Sequence, residues 1–260
     1  MSLTDASDPS GFEPELERLF ERYVPDMASH WTRASDHDIS TLEGIAGGAL
    51  PRCYQWMLRR LGRGCSDIVY GSLDLSAQAI VQGHARNAFP EQEGMMCFAI
   101  DTDTFQPQLR YYDLAHATDG DAPVIVVGPE DDEEVATEYE SLREFLGTAV
   151  FNAHRIRTSA ARVEGVFFSE EGSSAIGELE PFLEGLGFTA PLPTGRYCAL
   201  YDDGDIALWS SRKPSEDLRS DLLPFQLGGS SEGELRKFLG LLSASTSLRG
   251  HHLRWQTTTA

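Results

Sequence analysis

The sequence predicts an α+β protein of two domains. The chain has 260 residues, which is enough for one large domain or two of ordinary size. Hydrophobic residues make up 41% and aromatic residues 10%, which suits packed cores. Apolar residues recur at helical spacing early in the chain and in short strand-like runs after that. We therefore expect N-terminal helices packed on a mostly antiparallel sheet over residues 12–152, followed by a smaller α+β domain over residues 160–258.

Proline and glycine mark the N-terminal helices. One helix is predicted to begin at Pro14. Proline suits the first turn because it lacks an N–H group, and an N–H group there has no partner within the helix. Ser35 or Asp36 caps the next helix, and Gly47-Gly48 stops it, since glycine accepts left-handed backbone geometry. Pro51 then starts another helix and keeps the residue before it extended. The pattern predicts two short helices hinged just before Pro51.

A meander of strands and then a helix are expected next. The segments Met95–Ile100, Leu109–Leu114 and Pro123–Val127 are short, apolar and separated by turn residues, which predicts three antiparallel strands. A weaker strand is expected at Asp67–Leu73. The acidic run that begins at Glu130 is predicted to lead directly into a helix that ends near residue 150.

The second domain alternates strands and helices. Its order, strand-helix-strand-strand-helix-strand, suggests a split βαβ, ferredoxin-like layout, with Leu222–Leu227 as a further strand. Asp202-Asp203-Gly204-Asp205 has the composition of a hairpin turn rather than a calcium loop, which needs ligands spaced over twelve residues. Ser231 and Glu234 form a capping box at a helix start.

The short motifs in the sequence do not indicate a catalytic or metal site. The four cysteines include no CxxC pair, so we expect buried free thiols. The adjacent His251 and His252 point to opposite faces of a strand and cannot both bind one metal ion without distortion. No HExxH or Gly-Lys-Ser/Thr motif is present. We therefore expect no enzyme activity, no metal and no cofactor.

Charge is concentrated in the first domain. Residues 1–150 hold 27 Asp or Glu against 10 Lys or Arg, a net of −17, whereas residues 151–260 hold 14 against 11, a net of −3. This balance argues against nucleic-acid binding, which needs a basic face. It fits either a basic partner or simple solubility. The acidic N-terminus and the short apolar runs predict a cytoplasmic protein that does not bind membranes.

One motif resembles a known family. A run of Ile39-x-x-Leu42-Glu43, a glycine step and Leu50-Pro51-x-x-Tyr54-x-x-x-Leu58 is similar to the leading motif of the SUKH superfamily. This family includes fungal Smi/Knr-type regulators and bacterial immunity proteins. Gly62-Arg63-Gly64 stands where the family usually has Asn-Gly-Gly. The likeness covers about residues 12–150, and its fold-defining residues here would be Ile39, Leu42, Glu43, Gly47, Leu50, Pro51, Tyr54 and Leu58.

The resemblance implies binding without catalysis. We expect an immunity protein, or antitoxin, that neutralises a cognate toxin, a basic nuclease effector, and that is itself a monomer or weak dimer. An acidic inhibitor can occupy the basic cleft of a nuclease. The residues predicted to bind the partner are Asp119, Asp121, Glu130, Asp131, Asp132, Glu133, Glu134 and Glu138. The alternatives are a solvated acidic loop without a partner, a regulatory scaffold of the Smi/Knr type, and an unrecognised enzyme in the C-terminal domain.

Overall fold

The computed structural model confirms the α+β class. It describes residues 13–69, 71–102, 108–118, 120–127, 136–170, 174–211 and 222–257. These parts of the chain contain eight α-helices and two antiparallel five-stranded sheets. Contacts divide the chain into a first unit, Met1–Ala149, and a second unit, Val150–Ala260. Among the described helices, none is both long and apolar enough to cross a membrane.

The first unit is helical at its start and then forms a meander. Its helices are α1 Pro14–Tyr23, α2 Met27–His30, α3 Asp36–Ile45, α4 Arg52–Leu61, α5 Ala77–Ala85 and α6 Leu142–Phe151, of which the last runs into the second unit. Its strands are β1 Leu73–Asp74, β2 Met95–Asp101, β3 Leu109–Asp113, β4 Val124–Val127 and β5 Ala136–Tyr139, paired in chain order. A 3₁₀ turn, Leu114–His116, follows β3. The prediction of a weak strand at Asp67–Leu73 was wrong except at its last residue: Leu73 belongs to β1, and residues 67–69 form no strand.

The hinge between α3 and α4 forms as the sequence predicts. The Ser35 hydroxyl accepts a hydrogen bond from the Asp38 N–H at 3.1 Å, which caps α3. Gly47 has φ +73°, a left-handed conformation that favours glycine. Pro51 stands directly before α4 with extended geometry. The apolar fold-defining residues are all buried in the first unit: Ile39, Leu42, Leu50, Tyr54 and Leu58.

A large aromatic side chain lies at the centre of the first unit. Trp56 is fully buried, and its Nε1–H donates to Glu17 at 2.8 Å. The Phe20 and Trp31 rings lie within 5.8 and 6.1 Å of it. Arg60 donates to the same Glu17 carboxylate at 3.0 Å. Trp56 is therefore a core residue, because no part of it reaches the surface.

The helix that we predicted directly after the acidic run begins later than expected. Residues 136–139 form β5 instead, and Tyr139 pairs with Val124 of β4. Helix α6 starts only at Leu142, where a carboxylate from another segment caps it. Tyr139 is buried, but it lies on a strand. The prediction was wrong here because apolar spacing alone did not separate a short strand from the helix after it.

The second unit is one sheet with two helices on one face. Its strands are β6 Ala161–Ser169, β7 Cys198–Asp202, β8 Ala207–Ser211, β9 Leu222–Gly229 and β10 Leu248–Thr257, in the order β10-β6-β9-β8-β7. Helices α7 Ala175–Gly185 and α8 Glu232–Ser245 cover a core that includes Phe167, Phe225 and Phe238. The additional strand β9 makes this a five-stranded sheet, which differs from the four-stranded ferredoxin-like layout.

Local sequence signals in the second unit behave as predicted. The carboxylate of Asp203 accepts from the N–H groups of Asp205 and Ile206, which closes the hairpin turn between β7 and β8. Ser231 caps α8 by accepting from the Glu234 N–H at 3.2 Å. A π-helical turn, Asn152–Ile156, leads from α6 towards β6. Across both units, all four cysteines are free and buried, as expected from their spacing.

Candidate partner-binding groove

Most of the predicted acidic surface falls outside the described residues. Asp119 and the run Glu130, Asp131, Asp132, Glu133 and Glu134 belong to parts of the chain that the structure does not describe. Only Asp121 and Glu138 of the predicted set can be placed. Both are engaged inside the first unit, which changes their expected role.

Asp121 is a buried structural residue. Asp121 is only 5% exposed. We therefore correct the prediction that it forms part of a partner-binding surface. One carboxylate oxygen accepts from the Tyr112 hydroxyl at 2.6 Å and from the Leu142 N–H at 2.9 Å. The other accepts from the Arg143 N–H at 3.0 Å. Asp121 thus caps α6 from a segment that is distant in sequence.

Glu138 is neutralised by an arginine. Its carboxylate accepts from Arg110 Nε at 2.9 Å, and the two side chains are 14% and 12% exposed. The pair is largely shielded from water, and separating it would leave a buried charge without its partner. Glu138 therefore contributes little free negative charge to the surface, contrary to its predicted role.

A groove of about 850 Å³ lies elsewhere on the first unit. We call it the α5 groove. Its walls come from the end of α3, from the end of α5 with the loop after it, and from the adjoining ends of β2 and β3. The residues that line it are Ile45, Ala46, Gly47, His84, Asn87, Phe89, Pro90, Glu91, Gln92, Glu93, Gly94, Met95, Tyr111, Leu114 and Ala115.

Close packing holds the loop after α5 in place. A Cβ atom on Gly83 would lie only 2.0 Å from Phe89 Cζ, so this helix position has no room for a side chain. The Phe89 ring meets His84 edge to face, with centroids 4.8 Å apart. The Tyr111 hydroxyl donates to the Pro90 carbonyl at 2.8 Å. These contacts tie the loop to α5 and to β3, so one wall of the groove is preformed.

His84 lies at the inner side of the groove. Its Nε2 is 3.3 Å from the Cys97 carbonyl oxygen, which can accept a hydrogen bond from a protonated Nε2. Burial lowers the pKa of His84, and the hydrogen bond to Cys97 opposes this shift in part. The neutral imidazole is therefore favoured at pH 7, and it adds no positive charge to the groove.

The groove lining mixes apolar and polar groups, and its rim is acidic. Ile45 is a large hydrophobic residue that is 37% exposed, and Phe89 and Met95 are partly exposed beside it. Glu91 and Glu93 are exposed. No lysine or arginine lines the groove among the residues that the structure describes. Such a surface suits a partner segment that combines apolar and basic side chains.

Sequence reasoning missed this groove. The residues that form it come from α3, α5 and the β2–β3 edge, and they are joined only by the fold. Glu91 and Glu93 flank Gln92, but the chain has 41 acidic residues, so these two alone do not mark a binding site in the sequence. Within the described part of the chain, no three His, Cys, Asp or Glu side chains cluster closely enough to hold a metal ion.

No protein-family model matches this sequence, and no curated protein matches it.

Proposed function

We propose that the chain is an immunity protein that binds and neutralises a basic nuclease toxin in the cytoplasm. The observation that carries the proposal is the net charge of −17 in residues 1–150. A field of this size attracts a basic partner and speeds its association. The resemblance of Ile39 to Leu58 to the SUKH leading motif adds the immunity function to the proposal.

Internal ion pairs strengthen the charge argument. Arg60 pairs with Glu17 and Arg110 with Glu138, and the arginines in these pairs are 22% and 12% exposed. Arg143 pairs with Glu13, whose side chain is 2% exposed. These three arginines therefore present little positive charge to a partner, while other acidic side chains of the unit stay exposed.

The α5 groove supports recognition of a protein segment. Its volume of about 850 Å³ is large enough for several side chains of a partner. The apolar groups in its mixed lining offer area to bury, and the glutamates at its rim favour lysine or arginine beside it. We propose this groove, together with the acidic run Glu130 to Glu134, as the toxin-binding surface.

The function is tested with the adjacent reading frame. That frame is expressed alone and then together with this chain, and cell survival is measured. The proposal expects killing in the first case and rescue in the second, with the two proteins purifying as a complex. A toxic neighbour that this chain neither binds nor rescues would contradict it. A bound but harmless neighbour would instead favour the regulatory scaffold.

Charge reversal tests the surface. Glu91→Lys with Glu93→Lys should slow association with the toxin about tenfold and weaken its dependence on salt. Asp131→Lys, Asp132→Lys and Glu133→Lys together test the acidic run in the same way. Association rates are measured by stopped-flow or surface binding at several salt concentrations.

The matched control has the same change in net charge on the same unit. Glu15 and Glu21 are exposed on α1 and do not line the groove, so Glu15→Lys with Glu21→Lys should change the rate much less. Equal slowing by groove and control variants would mean that only overall charge acts. No effect from either acidic set would remove both surfaces from the proposal.

A further inference from the structure

The second sheet has a face that α7 and α8 do not cover. Side chains alternate between the two faces of a strand, so Glu164 of β6 points away from the helix-covered core that holds Val163. Strand pairing sets Arg254 beside Glu164, Glu164 beside Gln226, and Gln226 beside Trp209. These four residues form a row across β10, β6, β9 and β8. We call this surface the arginine face.

A cavity of about 360 Å³ lies on this face next to the row. It lies between the end of the π-helical turn, Ile156–Arg157, and strands β6, β9 and β10. Three arginines line it, Arg157, Arg162 and Arg254, and Glu164 is the single carboxylate in its lining. The local excess of positive charge contrasts with the net −3 of residues 151–260. Such an excess favours an anion.

Arg157 and Arg162 lack charged partners among the described residues, and Arg254 forms only a long ion pair with Glu164. Arg162 Nε is buried and has no hydrogen-bond partner among the described residues. The Arg254 side chain is 80% exposed, and its Nη1 lies 3.6 Å from Glu164, too far for a hydrogen bond. Neither Arg157 nor Arg162 has an ion-pair partner within the described ranges. Guanidinium groups with free donors match the paired oxygens of a phosphate.

A second cavity of about 270 Å³ adjoins the first, since both are lined by Glu164, Gln226 and Arg254. It adds Trp209, Pro224 and His252. Trp209 Nε1 is also buried without an acceptor among the described residues. A shift in pairing between His251 and Arg254 gives His252 φ +52°, an irregularity of the kind that re-aims side chains on a strand. Flat and aromatic groups therefore lie beside the arginine cavity.

The geometry points to a mononucleotide-binding site on the arginine face. The phosphates bind at Arg157, Arg162 and Arg254, and the base lies against Trp209. Aromatic side chains bind bases by stacking, because every base has a flat π face. A single small ligand fits better than a nucleic acid, which needs an extended basic track. This site lies outside the first unit and does not depend on the proposed immunity function.

Binding is measured by calorimetry on the full chain with three probes: adenosine diphosphate, inorganic pyrophosphate and adenosine. Adenosine diphosphate should bind saturably and more tightly than either of the others. Arg162→Gln and Arg254→Gln should each weaken its binding about tenfold or more, since each removes charged hydrogen bonds. Trp209→Leu should weaken adenosine diphosphate but leave pyrophosphate unchanged.

Lys237→Gln is the matched control, because Lys237 is exposed on α8 and lines neither cavity. It should bind like the parent protein. Circular dichroism checks that each variant is folded. If Arg162→Gln does not fold, Arg254→Gln still tests the site.

Four results would overturn the site. The first is no saturable binding of adenosine diphosphate or pyrophosphate, and the second is an equal loss of binding in the control variant. The third is an unchanged preference among the probes in Trp209→Leu. The fourth is tighter, salt-sensitive binding of a single-stranded oligonucleotide.

Discussion

Asp121 holds the start of α6 with a single carboxylate. It accepts hydrogen bonds from the Tyr112 hydroxyl and from the N–H groups of Ala122, Leu142 and Arg143. All of these donors would need new acceptors if the carboxylate were removed. A buried donor that loses its acceptor costs about 1–3 kcal/mol. Asp121 therefore contributes to the stability of the first unit and not to partner binding.

Replacing this carboxylate should destabilise the first unit. Asp121→Ala is expected to lower the free energy of unfolding by about 2–4 kcal/mol, because it removes a helix cap and leaves buried donors unpaired. Urea unfolding followed by circular dichroism measures the loss. The control is Asp67→Ala, whose carboxylate is 73% exposed and should matter by less than about 0.5 kcal/mol. Similar losses in both variants would contradict the capping role.

His84 gives the first unit a pH dependence. Its pKa is lowered in the folded state mainly by burial, so the folded protein binds fewer protons than the unfolded chain. The stability that depends on neutral His84 is full above about pH 6.5, the unfolded value, and decreases as pH falls towards the folded pKa.

The histidine contribution can be isolated by substitution. Between pH 7 and pH 5, His84→Gln should lose less free energy of unfolding than the parent protein does, because its side chain no longer titrates. Urea unfolding at several pH values measures this difference. His37→Gln, at an exposed position on α3, is the control and should keep the parent slope. A parent-like slope in His84→Gln would show that other groups cause the pH dependence.

At the scale of elements, α5 and the loop after it pack closely because Gly83 has no side chain. Gly83 is buried in the helix, and Phe89 occupies the space where its side chain would be. This contact places Phe89 against His84 and shapes the wall of the α5 groove. The glycine is therefore required by packing and not by an unusual backbone angle.

Adding one methyl group tests this fit. Gly83→Ala should lower the free energy of unfolding by about 1–3 kcal/mol and displace Phe89, because overpacked sites strain their neighbours. Binding of the proposed partner at the groove should weaken in the same variant. Gly44→Ala in α3 is the matched control, since nothing lies within 4 Å of its added Cβ. It should stabilise the protein by up to about 1 kcal/mol. A stabilising effect at Gly83 would rule out the packing argument.

Strand β5 shows how elements compete for the same residues. The sequence predicted one helix from the acidic run to about residue 150, a range that includes Tyr139. In the structure β4 supplies a strand edge, and Tyr139 pairs with Val124. Hydrogen bonds to a neighbouring strand outweigh the weak local preference for helix in a short segment.

At the scale of the molecule, each unit has its own buried core and its own buried thiols. Cys53, Cys65 and Cys97 lie in the first unit and Cys198 in the second. Burial raises the pKa of Cys65 and of Cys97 to about 12, which suppresses the reactive thiolate at neutral pH. The thiols can therefore report on the opening of either unit.

Thiol labelling should follow unfolding. Without denaturant we expect all four cysteines to resist a thiol reagent over minutes, and in urea each should react as the unit around it opens. Mass spectrometry of labelled peptides identifies which cysteine has reacted. Ser40→Cys, at an exposed position on α3, is the control and should react at once. Rapid labelling of any native cysteine would contradict its burial.

The sequence by itself determined most of the elements and the charge of each half. Apolar spacing located α1, α3 and α4, and local signals located the caps at Ser35 and Ser231. These features depend on residues a few positions apart, so a linear pattern contains them. The Leu50-Pro51 hinge and the Asp202 to Asp205 turn were predictable for the same reason.

Only the tertiary structure decided which residues meet. Asp121 reaches α6 across 21 positions, and the row from Arg254 to Trp209 joins four strands of the second sheet. The α5 groove likewise draws on segments that are far apart in sequence. Sheet order and side-chain burial follow from how all the elements pack together, and no local pattern encodes them. For that reason the sequence indicated an acidic binding protein, whereas the groove and the arginine face emerged only from the fold.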